Sequence, residues 1–215
     1  MTDRTRTRYW NERVKSDGTW RRDPNTGEPM RPPGEDLAAM RSGLGRPAGS
    51  VPALWPFYTC PIDDHAAMRG EVSVEQAAEH AALALFGLHQ QAQRDPMHRP
   101  GVNLGQALKV LRDKEAEKAS RGSRDSEKRA RSSMALDVRF NAAATATSVS
   151  ALLYRLRGLI SQLRDISQPV DYDRLMDDIR EWHYPDSRLR VRSRWGLGYY
   201  VWKSPSASTG SHFPG

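Results

Sequence analysis

The 215-residue sequence contains one cysteine, Cys60. A single thiol closes no internal disulfide and builds no cysteine-based metal site, so a disulfide scaffold and a zinc ribbon are both excluded. Long apolar runs are missing as well. The longest, Ala81 to Leu88, falls far short of the roughly 20 residues that span a bilayer. The first twenty residues are polar and Arg-rich, unlike a signal segment. Acids are in deficit, with 26 Asp+Glu against 33 Lys+Arg and a net charge of +7, and the pI is near 9.8. Such a balance is the electrostatic footprint of a chain that meets polyanions. No Gly-rich phosphate loop, catalytic Ser or Cys beside a base, or metal-ligand cluster is spelled out. The expectation is a soluble cytoplasmic chain that is not an enzyme, with no cofactor, no metal and no membrane partner.

The stretch from Gly101 to Phe140 organises the chain. Asn103 is placed to cap a helix whose apolar positions Leu104, Ala107, Leu108 and Leu111 recur at three- and four-residue spacing. The helix is expected to run to about Ser120 and break at Arg121-Gly122-Ser123. A second helical pattern then carries Met134, Val138 and Phe140. Six cations (Lys118, Arg121, Arg124, Lys128, Arg129, Arg131) meet only Asp125 and Glu127 around the break. Such a run is either a solvated helix face or a phosphate-facing hinge between two bundles.

Further helices follow from caps and periodicity. A short one from about Arg8 to Lys15 would bury Trp10 and Val14 and leave Arg6, Arg8 and Arg13 outside. A proline-rich loop over 22–34 leads into GEDLAAMR, with acids in its first turn and Arg41 and Arg46 at its far end, where they either satisfy carbonyls or meet a phosphate. VPALWPFYTC is a short turn or helix expected to bury Leu54, Trp55 and Phe57. Ser73 caps VEQAAEHAALALFGLHQ, with Ala77, Ala81, Leu85 and Leu88 as its inner stripe and His80 and His89 as surface or cap histidines. Ser148 or Ser150 caps an amphipathic helix with Leu152, Leu153, Leu156, Leu159, Ile160, Leu163 and Ile166 inside. Arg157 and Arg164 lie on one flank of it and Arg155 on the other. Asp171 caps YDRLMDDIREW, in which Asp177 and Asp178 read as solvent-facing charges. Arg188, Arg190, Arg192 and Arg194 alternate as on a strand, but Val191, Trp195, Tyr199 and Trp202 form a helical stripe, and the helical surroundings favour the helix.

The fold class is therefore all-α, as two helical bundles. The divisions are an Arg/Pro-rich segment with a short helix over 1–33, an N-terminal helical bundle over 34–120, a C-terminal four-helix bundle over 124–203 and a disordered tail over 204–215. Two enzyme readings are weak: Asp63, Asp64 and His65 are consecutive and point apart, and in the set Asp177, Asp178 and His183 the two carboxylates diverge by about 100° on a helix. Asp63 reads instead as a cap. A stand-alone basic helical nucleic-acid-binding protein or regulator is the alternative, although no helix-turn-helix with base-reading side chains is evident.

Five segments in order resemble the CasB-type small subunit of the type I-E CRISPR Cascade effector complex. GVNLGQAL resembles its Gly-x-Ser-Leu-Gly-x-Ala-Leu signature, with Asn103 for Ser. DLAAMRSGLGR is similar to its Ala-Leu-Arg-Arg segment, with Ser42 for the second Arg; VRFNAA is similar to Arg-Arg-Phe-x-x-Leu-Leu, with Val138 for the first Arg. VDYDRLMDDIREW resembles Asp-Trp-x-x-Leu-x-x-Asp-Leu-x-x-Trp, with Tyr172 for Trp, and RVRSRWGLGYY resembles the closing Arg-x-x-Trp-x-x-x-Tyr-Tyr helix. The resemblance implies a non-catalytic two-bundle protein, dimeric within the complex, that works for antiviral defence. It implies contacts with guide RNA, with the target and displaced DNA strands, and with other Cascade subunits, the backbone and large subunits. Its nucleic-acid-binding residues are expected to be the hinge cluster Arg121, Arg124, Lys128, Arg129 and Arg131, followed by Arg41, Arg46, Arg139, Arg157 and Arg164. Phosphate contacts carry no sequence information, which suits a subunit that accepts every guide.

Overall fold

The structure, a computed structural model, describes residues 7–61, 63–122 and 126–201, with the side chains of 119–133 outside the description. Its helices are α1 Tyr9–Arg13, α2 Gly34–Arg41, α3 Asp64–Met68, α4 Val74–Gln90, α5 Leu104–Gly122, α6 Ser126–Ala144, α7 Val149–Asp165, α8 Tyr172–Trp182 and α9 Arg188–Gly196. Short 3-10 turns occupy Pro52–Phe57 and Pro185–Ser187, and a π-helical turn, Leu197–Val201, continues α9. Among the described residues the backbone pairs outside helices only at isolated bridges, such as Val14 with Trp20. The class is all-α.

Capping explains where these helices start. The Asp63, Ser73, Ser148 and Asp171 side chains each accept the backbone N–H three residues on. At α5 the exchange is reciprocal. Asn103 Oδ1 accepts from Gln106 N at 3.0 Å and Gln106 Oε1 accepts from Asn103 N at 2.9 Å, satisfying two donors that the first turn leaves free.

Helix α4 is the central element, packed between α2, α7 and α8. The sequence reads it as one-sided, with a single inner stripe, yet every residue from Ala78 to Gly87 is buried. A helix covered on several sides has no polar face, so small residues all round it indicate close neighbours rather than a stripe. Gly87 is the closest approach: a Cβ there would lie 2.6 Å from Met40 Cβ of α2. His80 and His89 are accordingly core residues, 4% and 0% exposed, and not surface or cap histidines.

Other side chains also differ from expectation. Trp55 is 57% exposed while Leu54 is buried, because the turn is 3-10 and points Trp55 Nε1 back to the Gly49 carbonyl. Met134 and Val138 face solvent, and Leu136, Phe140 and Ala143 form the inner face of α6. Asp178 is fully buried rather than solvent-facing, beneath Arg194 and Trp195 of α9. The expected stripes of α5, α7 and α9 are otherwise present: Leu104, Ala107, Leu108, Leu111, Leu152, Leu156, Val191, Trp195 and Tyr199 all lie in the core, while Leu153 and Ile166 are half-buried.

Close contact between α5 and the end of α9 closes the fold. At Gly105 a Cβ would overlap the Trp195 carbonyl, and at Gly198 it would lie 2.6 Å from Asn103 Oδ1. The π turn widens the backbone here and delivers Tyr199 against Phe140, with ring centroids 4.3 Å apart, and its hydroxyl donates to Asp137 at 2.7 Å.

Candidate nucleic-acid interface

The arginines divide into two groups according to what surrounds them. Many of those on α8, α9 and the N-terminal segment are engaged by carboxylates, carbonyls or an aromatic ring. Arg8 pairs with Asp173 at 2.7 Å, Arg180 with Asp177 at 3.4 Å and Arg174 with Asp178 at 3.6 Å. Arg188 donates to the carbonyls of Trp182 and Thr147, and Arg192 lies over the Trp182 ring. The alternating arginines of the last helix are thus structural in part.

The second group lies along the outer face of α7. Two adjoining cavities run there. The first, about 440 Å³, is lined by Arg139, Tyr154, Arg155, Arg157, Gly158 and Gln162 among others. The second, about 420 Å³, has an apolar floor that includes Leu44, Ala81, Ala84 and Leu153, with Arg46, His80 and Ser150 in its wall. Tyr154 and Arg157 belong to both. Among the described residues no Asp or Glu lines either cavity. Helical geometry assembles this face: Tyr154, Arg157, Gly158 and Ser161 fall at i, i+3, i+4 and i+7, opposite the buried leucines of α7. Gly158 meets no heavy atom within 4 Å at its Cβ position, which leaves a hollow beside Tyr154.

His80 shapes the second cavity. Its Nε2 lies 3.0 Å from the Gly43 carbonyl, an acceptor only, so Nε2 carries the proton and Nδ1 accepts from the Tyr58 hydroxyl at 2.7 Å. Burial pushes its pKa down, against the raising effect of the Gly43 carbonyl. A neutral His80 therefore ties the loop bearing Arg46 to α4.

Of the residues expected from the sequence, Arg46, Arg139 and Arg157 come together around Tyr154. Arg41 is half-buried in the last turn of α2 and lines neither cavity, and Arg164 lies 3.6 Å from Asp165. Arg124 lies outside the described residues, as do the side chains of Arg121, Lys128, Arg129 and Arg131. Tyr154 escaped the sequence reading, although an aromatic opposite the leucine stripe of α7 is its signal.

Among the described residues, His98, Asp171 and Asp173 bring ligand-type atoms within 4.8 Å of one another. Each of them already accepts hydrogen bonds from the protein. Asp173 accepts from Arg8, Trp10 and Asn11, Asp171 from Gly101 and Arg174, and His98 Nδ1 from the Tyr172 N–H. The cluster fastens the N-terminal segment to α8. Asp63 caps α3, and Asp177 and Asp178 hold arginines.

Fold and surface together define a basic all-helical protein that presents cations along one helix. The chain belongs to the family described as CRISPR-associated protein Cse2, whose model matches residues 36–200. It is similar to the crystal structure of CasB from Thermobifida fusca, with a TM-score of 0.57 and 28% identity over 78% of this chain and 85% of that one. It is also similar to a Cse2-family CRISPR-associated protein of Thermus thermophilus, with a TM-score of 0.50 and 26% identity over 77% of this chain and 85% of that one. No curated protein matches the chain. No described helix is long and apolar enough to cross a membrane.

Proposed function

We propose that this chain is the non-catalytic small subunit of a type I-E Cascade complex, where it binds the backbones of guide RNA, target and displaced DNA and stabilises the R-loop. The observation that carries the reading is the pair of cavities along α7, whose described lining holds Arg46, Arg139, Arg155 and Arg157 and no carboxylate, on a chain of the Cse2 family. Opening a duplex for guide pairing is nearly balanced in free energy, so backbone contacts suffice to tip it. Cations with no carboxylate beside them are available to phosphates, and such contacts are indifferent to sequence. In this reading the subunit sits in the complex as a homodimer beside the backbone and large subunits. The cations around the expected break, Arg121, Arg124, Lys128, Arg129 and Arg131, are assigned further phosphate contacts in this reading, with Arg41 and Arg164 secondary.

R-loop formation by the assembled complex tests this. Changing Arg46, Arg139 and Arg157 to Ala together, and separately Arg121, Arg124 and Arg129, is expected to leave assembly intact and reduce strand opening. Unchanged R-loop formation in both assembled variants overturns the reading.

A further inference from the structure

We propose that the cavity between Tyr154, Leu44 and Leu153 takes an unstacked base of a single nucleic-acid strand whose phosphates follow Arg157 and Arg139. The inference rests on the cationic reading of α7 and deepens it, adding a recess for a base to the phosphate contacts proposed for single strands.

The two adjoining cavities differ in chemistry. The outer one is open, with Arg139, Arg155 and Arg157 around the Gly158 hollow. The inner one has a floor of alanine and leucine side chains and is about 420 Å³, room for a planar base and its sugar. A purely phosphate-binding surface has no use for an apolar recess. An apolar recess without cations would suit a protein segment, but Arg46 and Arg157 stand at this one and no carboxylate does. The partner that matches both is an amphiphile with an anionic backbone and flat apolar faces, which is a single strand with its bases unstacked.

Tyr154 is the hinge between the cavities. It is 77% exposed, no hydrogen bond or ring contact ties it down among the described residues, and it lines both spaces. An aromatic left open beside cations offers a stacking face that any base can use, so it adds affinity without sequence preference. Duplex DNA keeps its bases stacked and cannot reach the recess. The hydrogen bonds from His80 to Gly43 and Tyr58 hold the wall in place before a ligand arrives.

The test is binding of the full chain, at fixed low salt, to a 20-nucleotide deoxythymidine strand and to an abasic strand with the same phosphates. Wild type is expected to prefer the strand with bases by about tenfold. Tyr154→Ala and Ser150→Trp, the latter closing the exposed mouth of the recess, are expected to abolish that preference with the salt dependence unchanged, while Tyr154→Phe keeps it. Equal affinity of wild type for both strands, or a preference that survives both disruptive variants, overturns the base pocket. If Arg157→Ala still weakens both strands alike in that case, the phosphate reading stands without it. If neither strand responds to Arg157→Ala or to salt, the underlying reading fails too.

Discussion

Arg194 reaches from α9 into the interior and binds Asp178 of α8 through both Nε and Nη2, while Trp195 Nε1 donates to the second carboxylate oxygen at 2.6 Å. The carboxylate is fully buried and the guanidinium 23% exposed. The Trp182 and Trp195 rings stack beside the pair, with centroids 5.5 Å apart. Two helices whose outer faces are heavily charged are thus joined by one buried acid. The same pairing removes Arg194 from any role at the surface.

Removing Asp178 should therefore cost stability and not binding. Asp178→Ala leaves the Trp195 indole without its acceptor and Arg194 with Glu181 alone, at 3.4 Å, an expected loss of about 3 kcal/mol in thermal or urea unfolding. Nucleic-acid affinity of the folded variant should match wild type at every salt concentration. A variant as stable as wild type would show that the pair contributes nothing to the α8–α9 contact.

Gly105 is the tightest point between α5 and α9. Because a Cβ there overlaps the Trp195 carbonyl, Gly105→Ala is expected to destabilise by more than about 2 kcal/mol. Gly196, with nothing within 4 Å of its Cβ position, is the control. Gly196→Ala should leave the melting temperature unchanged or raise it, since alanine is the better helix former. Equal melting temperatures for the two variants would contradict the close approach.

Stability should fall as the pH drops below 6.5. Burial lowers the pKa of His89 to about 3, opposed by the Gln168 backbone and reinforced by Arg164. Burial likewise lowers His80, His98 and His183. A histidine with its folded pKa below the ordinary 6.5 stays neutral inside while the unfolded chain takes up a proton. Stability is then complete above pH 6.5 and falls as the pH drops, by up to about 1.4 kcal/mol per unit for each such group. For His89 the loss continues to about pH 3. Asp178, raised by desolvation against the lowering effect of Arg194, works in the opposite direction. Melting temperatures should decline between pH 7.5 and 5, and less steeply in His89→Gln. A flat profile would sink the assignment.

The two groups of arginines should separate by salt dependence. On a single strand, removing one phosphate contact lowers the slope of log affinity against log salt by about 0.7. Arg46→Ala, Arg139→Ala and Arg157→Ala should each do so and weaken unrelated sequences alike. Arg180→Ala, which removes a cation already paired with Asp177, should leave the slope as it is. A comparable drop for Arg180 would mean that net charge, and not the α7 face, governs binding.

Local chemistry made much of this molecule legible from its residues alone. The caps at Asn103, Ser73, Ser148 and Asp171 and the stripes of α5 and α7 follow from hydrogen-bonding geometry and helical period, which act over a few residues. The ambiguous stretch from Arg188 is helical as far as Val201 because Val191, Trp195 and Tyr199 share one face, Gly196 and Gly198 became the entry to a π turn, and Trp202 lies outside the described residues. Family membership was legible too, since ordered short motifs survive where overall identity is low.

What a charged or polar side chain meets was not legible, because partners come from distant elements. Asp178 and Asp177 are neighbours in the chain, yet one is buried under Arg194 and the other faces Arg180 at the surface. His80 and His89 lie on a helix covered from several sides, and only packing of α2, α7 and α8 around α4 puts them inside. The sequence by itself determined the helices, their ends and the excess of positive charge. Tertiary structure decided which arginines are neutralised, and that Arg46, Arg139 and Arg157, from three separate segments, surround one exposed tyrosine. Helix formation is set by near neighbours, whereas charge compensation is set by whichever surfaces the core brings together.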